Sequence, residues 1–236
     1  MAFIKVSLIN RSTVLTDSQV QSAIHGLQTQ VHRDFAPVYG IDADIAFVPK
    51  TSNTPTDSWV LGIFDNSDQA GALGYHDLTA NGLPLAKVFA GSDMKAGLSW
   101  TITASHELLE MLGDPDIDLT VFIQSNSTSG ILYAYEVCDP CESDSLGYNI
   151  GGTLVSDFVF PTWFESFRSP GSVQFDLQNK ISKPFQILPG GYIGTFDVTG
   201  GSGWQQTTED VQPNRRLDSR FERREKPKDK WRRSTK

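Results

Sequence analysis

At the head of the chain Ile4, Val6 and Leu8 alternate with Phe3, Lys5 and Ser7, and this β-prone, period-two pattern predicts a strand over residues 3–9. The period then changes. Val20, Ala23, Ile24, Leu27, Val31 and Phe35 recur at helical spacing and predict an amphipathic helix over 17–39. Thr16 or Asp17 can cap its start, Gly40 can end it, and Pro37 makes the last turn irregular. Residues 44–48 and 59–64 are short apolar runs suited to buried strands. Residues 71–77 and 83–90 flank Thr79-Ala80-Asn81-Gly82, and Asn-Gly in that setting signals a hairpin. Residues 99–112 carry Ile102, Leu108, Leu109, Met111 and Leu112, apolar enough for a helix buried in the core.

Past Asp116 the pattern breaks into short strands over 119–123, 131–137 and 154–159, separated by Ser, Asn, Gly and acidic loops. Residues 171–196 read as irregular with short strands, and Gly200-Gly201-Ser202-Gly203 reads as a flexible joint. From about 205 the chain becomes a polar, charged extension. The expected fold class is α+β. A mixed sheet, a long N-terminal helix and a second helix at the active face occupy 1–118. A smaller, loop-rich and strand-rich part occupies 119–204, and a basic tail occupies 205–236.

Composition narrows the function classes. Of the 236 residues, 39% are hydrophobic and 20% charged, which excludes wholesale disorder. No apolar run approaches the ~20 residues of a membrane span. The first residues lack a charged segment followed by an apolar one, so no signal peptide is expected and the default location is the cytoplasm. The net charge of −8 hides a split. From residue 215 to 236 there are 11 Lys/Arg and 4 Asp/Glu, so the tail carries +7; the remaining 9 basic and 24 acidic residues give the body −15. Such a body is a poor nucleic-acid binder, because phosphate binding needs Lys/Arg. The tail is the part fitted to dock on an acidic partner, on nucleic acid, or on the acidic body of a second copy in a homo-oligomer.

One stretch carries chemistry: His106-Glu107-Leu108-Leu109-Glu110-Met111-Leu112-Gly113-Asp114-Pro115-Asp116. His106 and Glu110 are four apart, so on a helix they share a face and can reach one cation. Glu107 projects beside them, where a carboxylate can take a proton from an activated water. Gly113 can adopt the left-handed conformation that ends a helix, and the turn that follows can swing Asp116 back as a third ligand. This spacing resembles the long zinc motif of the metzincin metallopeptidases, HExxHxxGxxH/D. An aspartate in the third position resembles the snapalysin-type variants. The resemblance implies a zinc or other divalent-cation site on His106, Glu110 and Asp116, with Glu107 as general base for hydrolysis of a peptide or protein substrate. The order of long helix, mostly parallel sheet, antiparallel edge strand and motif helix is also similar to a metzincin upper subdomain.

Two features depart from the family pattern. Glu110 stands where the family has its second histidine, which adds ligand charge and lowers the Lewis acidity of the metal. The methionines are Met1, Met94 and Met111, so none stands downstream for the family's methionine turn. The departures imply either an attenuated peptidase or an inactive structural or assembly protein that docks through its tail. His76 and Tyr75, on the expected edge strand, and Trp163, in an aromatic segment, are candidates for substrate contact. Glu136, Asp139, Glu142 and Asp144 form a second acidic group able to take calcium, although their spacing is not that of an EF-hand. Cys138 and Cys141 alone supply only half of a structural zinc site.

Overall fold

The computed structural model describes residues 4–69 and 71–209, and its fold is α+β. Strand β1 (Ile4–Asn10) leads into helix α1 (Asp17–Thr29). Thr16 and Gln19 form a reciprocal capping box: the Gln19 N–H donates to Thr16 Oγ1 at 3.2 Å, and the Thr16 N–H donates to Gln19 Oε1 at 2.9 Å. The helix widens into a π-helical stretch, Gln30–Phe35, and closes with the short helix α2 (Ala36–Tyr39). Gly40 ends it with φ at 70°, so the whole expected span is helical. Next come β2 (Ala43–Val48), β3 (Trp59–Phe64), β4 (Gly74–Leu78), β5 (Pro84–Phe89), α3 (Ala90–Ala96) and α4 (Trp100–Gly113). Helix α3 has no counterpart in the hydrophobic pattern; Gly97, at φ 74°, ends its two turns.

These strands form one five-stranded sheet in the order β2-β1-β3-β5-β4. β2, β1, β3 and β5 run parallel, and only the edge strand β4 is antiparallel. The Asn81-Gly82 turn makes the reversal, with Gly82 at φ 77°. Val6, Leu8, Leu61, Ile63, Ala86 and Val88 face the core shared with α1 and α4.

The second half is tied to the first. β6 (Thr120–Gln124), β7 (Gly130–Ala134), β10 (Tyr192–Asp197) and β11 (Trp204–Thr208) form an antiparallel sheet in the order β11-β10-β7-β6. β8 (Tyr148–Ile150) and β9 (Thr153–Val155) form a small hairpin. Val137, Phe158, Trp163 and Ile193 belong to the same apolar cluster as Val6 and Leu8. Several hydrogen bonds stitch the halves together, among them three at the first half's helices. The Tyr39 hydroxyl donates to the Val159 carbonyl at 2.5 Å, Thr101 Oγ1 to the Leu154 carbonyl at 2.6 Å, and the Ser156 N–H to Ser105 Oγ at 2.6 Å.

Residues 204–208, expected in part to begin the polar extension, instead complete a hairpin with β10. Glycines 201 and 203, with positive φ, form its turn. The remainder of the basic tail lies outside the described residues. No helix among the described residues is long and apolar enough to cross a membrane.

Candidate metal centre

Helix α4 lies against β5 and β4, and every residue from Ile102 to Gly113 is buried. One face of it is apolar and carries Leu108, Leu109 and Leu112. The other brings His106, Glu107 and Glu110 toward the edge strand and toward the segment that follows β7. Two close approaches position these elements. A Cβ on Gly74 of β4 would lie 2.7 Å from Thr103 Cγ2 and 2.8 Å from Glu107 Cγ, so glycine lets the helix sit this near. A Cβ on Gly191 would lie 2.4 Å from the Pro140 carbonyl oxygen, so glycine also lets the 188–191 segment clamp the Asp139–Cys141 turn.

The result is a buried group of imidazoles and carboxylates. His106 Nε2 lies 3.1 Å from Glu110 Oε2 and 3.2 Å from Asp139 Oδ1. His76 Nδ1 lies 3.9 Å from both Glu107 Oε2 and Glu110 Oε2, and His76 Nε2 lies 4.0 Å from Glu136 Oε2. The Cys138 N–H donates to Glu110 Oε1 at 3.2 Å, which orients that carboxylate. Relative exposures are 0% for His76 and Glu110 and 2% for His106 and Glu107. Ligand-capable atoms converge within 4.8 Å in three sets: His106, Glu110 and Cys138; His76, Glu110 and Glu136; His106, Asp139 and Glu142.

The donor chemistry fits a divalent cation. One ring N–H cannot point well at two oxygens, whereas two ligands each about 2.1 Å from a tetrahedral zinc ion lie ~3.4 Å apart. The 3.1 and 3.2 Å separations at His106 are close to that edge. Glu107, Glu110, Glu136, Asp139 and Glu142 are all buried, while no lysine or arginine among the described residues is. Buried charge of one sign calls for a compensating cation or a bound proton. The protonation chemistry is consistent with this. Burial pushes the His106 ring down, but the neighbouring Glu110 and Asp139 carboxylates outweigh it and, with no cation present, hold its pKa well above 6.5. With no cation present, burial, reinforced by nearby carboxylates, pushes the Cys138 and Cys141 thiols up, and both cysteines are free.

The other expected site residues fall in different places. Asp116 is half-buried in the turn after α4 and belongs to none of the three sets. Gly113 stays helical, and the positive φ falls at Ile117, at 58°. The Asp114 carboxylate accepts the N–H groups of Asp118 and Leu119, which directs the chain on toward β6. The 136–142 segment, expected as a separate acidic group, joins the α4 centre. Asp144 does not join it; its Oδ2 accepts the Ser99 N–H at 2.7 Å where α4 begins. Tyr75 lies on the opposite face of β4 from His76, and its hydroxyl meets Asp68 and Lys87. Trp163 is fully buried among Phe164 and Phe185, and its Nε1–H donates to the Gln186 carbonyl at 2.9 Å. Cys138 is the member of these sets that sequence reasoning did not place at the site.

No protein-family model, no curated protein and no solved structure matches this chain.

Proposed function

We propose that the chain is a metal-dependent hydrolase acting on peptide bonds. Its divalent cation would sit at His106, with ligands from Glu110 and the 136–142 segment, and Glu107 would be the general base. The observation that supports this most directly is the packing of Glu107 beside His106 and Glu110 on one buried helix face, in contact range of His76. The sheet order, with a single antiparallel edge strand beside that helix, supports the metzincin-like reading of the motif. The third ligand in this proposal comes from Asp139, Glu142 or Cys138 rather than Asp116.

Such a cation supplies Lewis acidity and lowers the pKa of a water. The protein's own groups do the rest. Glu107 accepts the proton of the attacking water and returns it to the leaving amine. The Cys138 N–H holds Glu110 in a single orientation, and burial keeps bulk water from competing for the carboxylates.

Burial of the whole group supports a second reading, in which the same cation is an internal staple joining α4, β4 and the 136–142 segment in a non-catalytic protein. One experiment separates the two. The metal-replete chain and Glu107→Gln are assayed against a pool of fluorogenic peptides, with metal content measured alongside. Hydrolysis that Glu107→Gln abolishes while retaining its metal supports the hydrolase. Equal rates in the two proteins, or no hydrolysis by the metal-replete wild type, refute it.

A further inference from the structure

Six of the buried residues divide into two triads, each of one histidine and two carboxylates: His76, Glu110 and Glu136, and His106, Asp139 and Glu142. Each offers one imidazole nitrogen and two carboxylate oxygens within 4.8 Å of one another. We propose that the centre holds two divalent cations, one per triad, with Glu110 bridging them. This rests on the reading of α4 as a cation centre and adds a second ion to it.

Three observations carry the inference. The first is the position of one oxygen. Glu110 Oε2 lies 3.1 Å from His106 Nε2 and 3.9 Å from His76 Nδ1, so it borders both imidazoles. A shared carboxylate oxygen is the usual link in two-metal sites, whose ions lie roughly 3.5–4 Å apart. The second is charge. With neutral imidazoles, the five buried carboxylates Glu107, Glu110, Glu136, Asp139 and Glu142 sum to −5. One divalent cation leaves −3 in the interior and two leave −1. Uncompensated interior charge is strongly unfavourable, so the second cation removes most of the burden the first leaves. The third is placement. Each triad draws on more than one element, α4 and the 136–142 segment in common and β4 in addition for His76, so the ligands are held by packed backbone.

The two positions are not equivalent. The 3.1 and 3.2 Å separations at His106 suit a small four-coordinate ion. At His76 the separations are wider and use different ring nitrogens, 3.9 Å from Nδ1 to Glu110 Oε2 and 4.0 Å from Nε2 to Glu136 Oε2, so an ion taking one of these nitrogens has a more open coordination, as manganese accepts. The His106 position therefore fills first. Glu107 Oε2 lies 3.9 Å from His76 Nδ1, which places the base beside the second ion.

The test uses the full-length chain, stripped with chelator, loaded with manganese and desalted. Metal per chain is measured by mass spectrometry, and coupling between ions by electron paramagnetic resonance. The expected result is two manganese ions per chain with a spin-coupled spectrum. His76→Gln and Glu136→Gln should each bind one, with the spectrum of isolated ions; two variants guard against one failing to fold. One ion per wild-type chain, or two in both variants, overturns the two-cation inference. A single ion that is lost in His106→Gln does so while sparing the reading under Proposed function. No bound ion in the wild type overturns both.

Discussion

Asp157 and Asp176 are fully buried carboxyls that meet in the interior of the second half. Burial, the hydrogen bond to Asp176 and the charge of Asp176 push Asp157 from its ordinary 3.8 up to about 8. Asp157 Oδ1 still accepts the N–H groups of Phe158 and Gln178, and Asp176 accepts those of Lys180 and Ile181, so both carboxyls hold loop backbone in place. Between pH 4 and 8 the folded chain therefore carries a proton that the unfolded chain has released. The contribution is fully present below pH 4 and is lost as pH rises through 8. The slope is about 1.4 kcal/mol per pH unit, on the order of 5 kcal/mol across the interval. That is a large share of the 5–15 kcal/mol typical of a folded protein. Asp157→Asn keeps the shape, keeps an acceptor for Phe158 and Gln178, and offers Asp176 an N–H without proton uptake. Urea unfolding of both proteins at pH 5, 6, 7 and 8, at one fixed excess of metal, should show the variant gaining on the wild type as pH rises. Curves that stay parallel across those pH values would refute the reasoning.

Two further substitutions probe the site and the core. Gly74→Ala places a methyl group 2.8 Å from Glu107 Cγ and should cost about 1–3 kcal/mol of stability. Because the groups it displaces, Glu107 and Thr103, include the proposed base and neither is a proposed ligand, hydrolysis should fall further than metal content; an equal loss of both would count against the assignment. Trp163→Ala should cost about 3–5 kcal/mol in urea unfolding, since the ring is fully buried and packed on two phenylalanines. A cost under 1 kcal/mol would mean that the ring lines a pocket rather than fills the core.

Local periodicity was enough for the long N-terminal helix and for β3. The 3.6-residue stripe from Val20 to Phe35 marks a helix because only a core-facing face needs apolar residues at that spacing, and helix runs unbroken from Asp17 to Tyr39. The apolar run 59–64 coincides with β3, a strand flanked by neighbours on both sides. Helix α3 was not legible because Ala90–Ala96 is too short and too polar to show a period. β11 was not legible because Gln205, Gln206, Thr207 and Thr208 form a strand by pairing with β10, an interaction between segments.

The site divides along the same line. His106, Glu107 and Glu110 could be read from the sequence because helical spacing alone puts them near one another. His76, Glu136, Asp139 and Glu142 reach them only because β4 packs beside α4 and the 136–142 segment folds under it, and no sequence spacing encodes a contact between elements. Asp116 shows the converse, since its three-residue distance from Gly113 suggested a ligand. The backbone bonds to Asp114 lead the chain away toward β6, and the tertiary fold brings residues from a later segment to His106 instead.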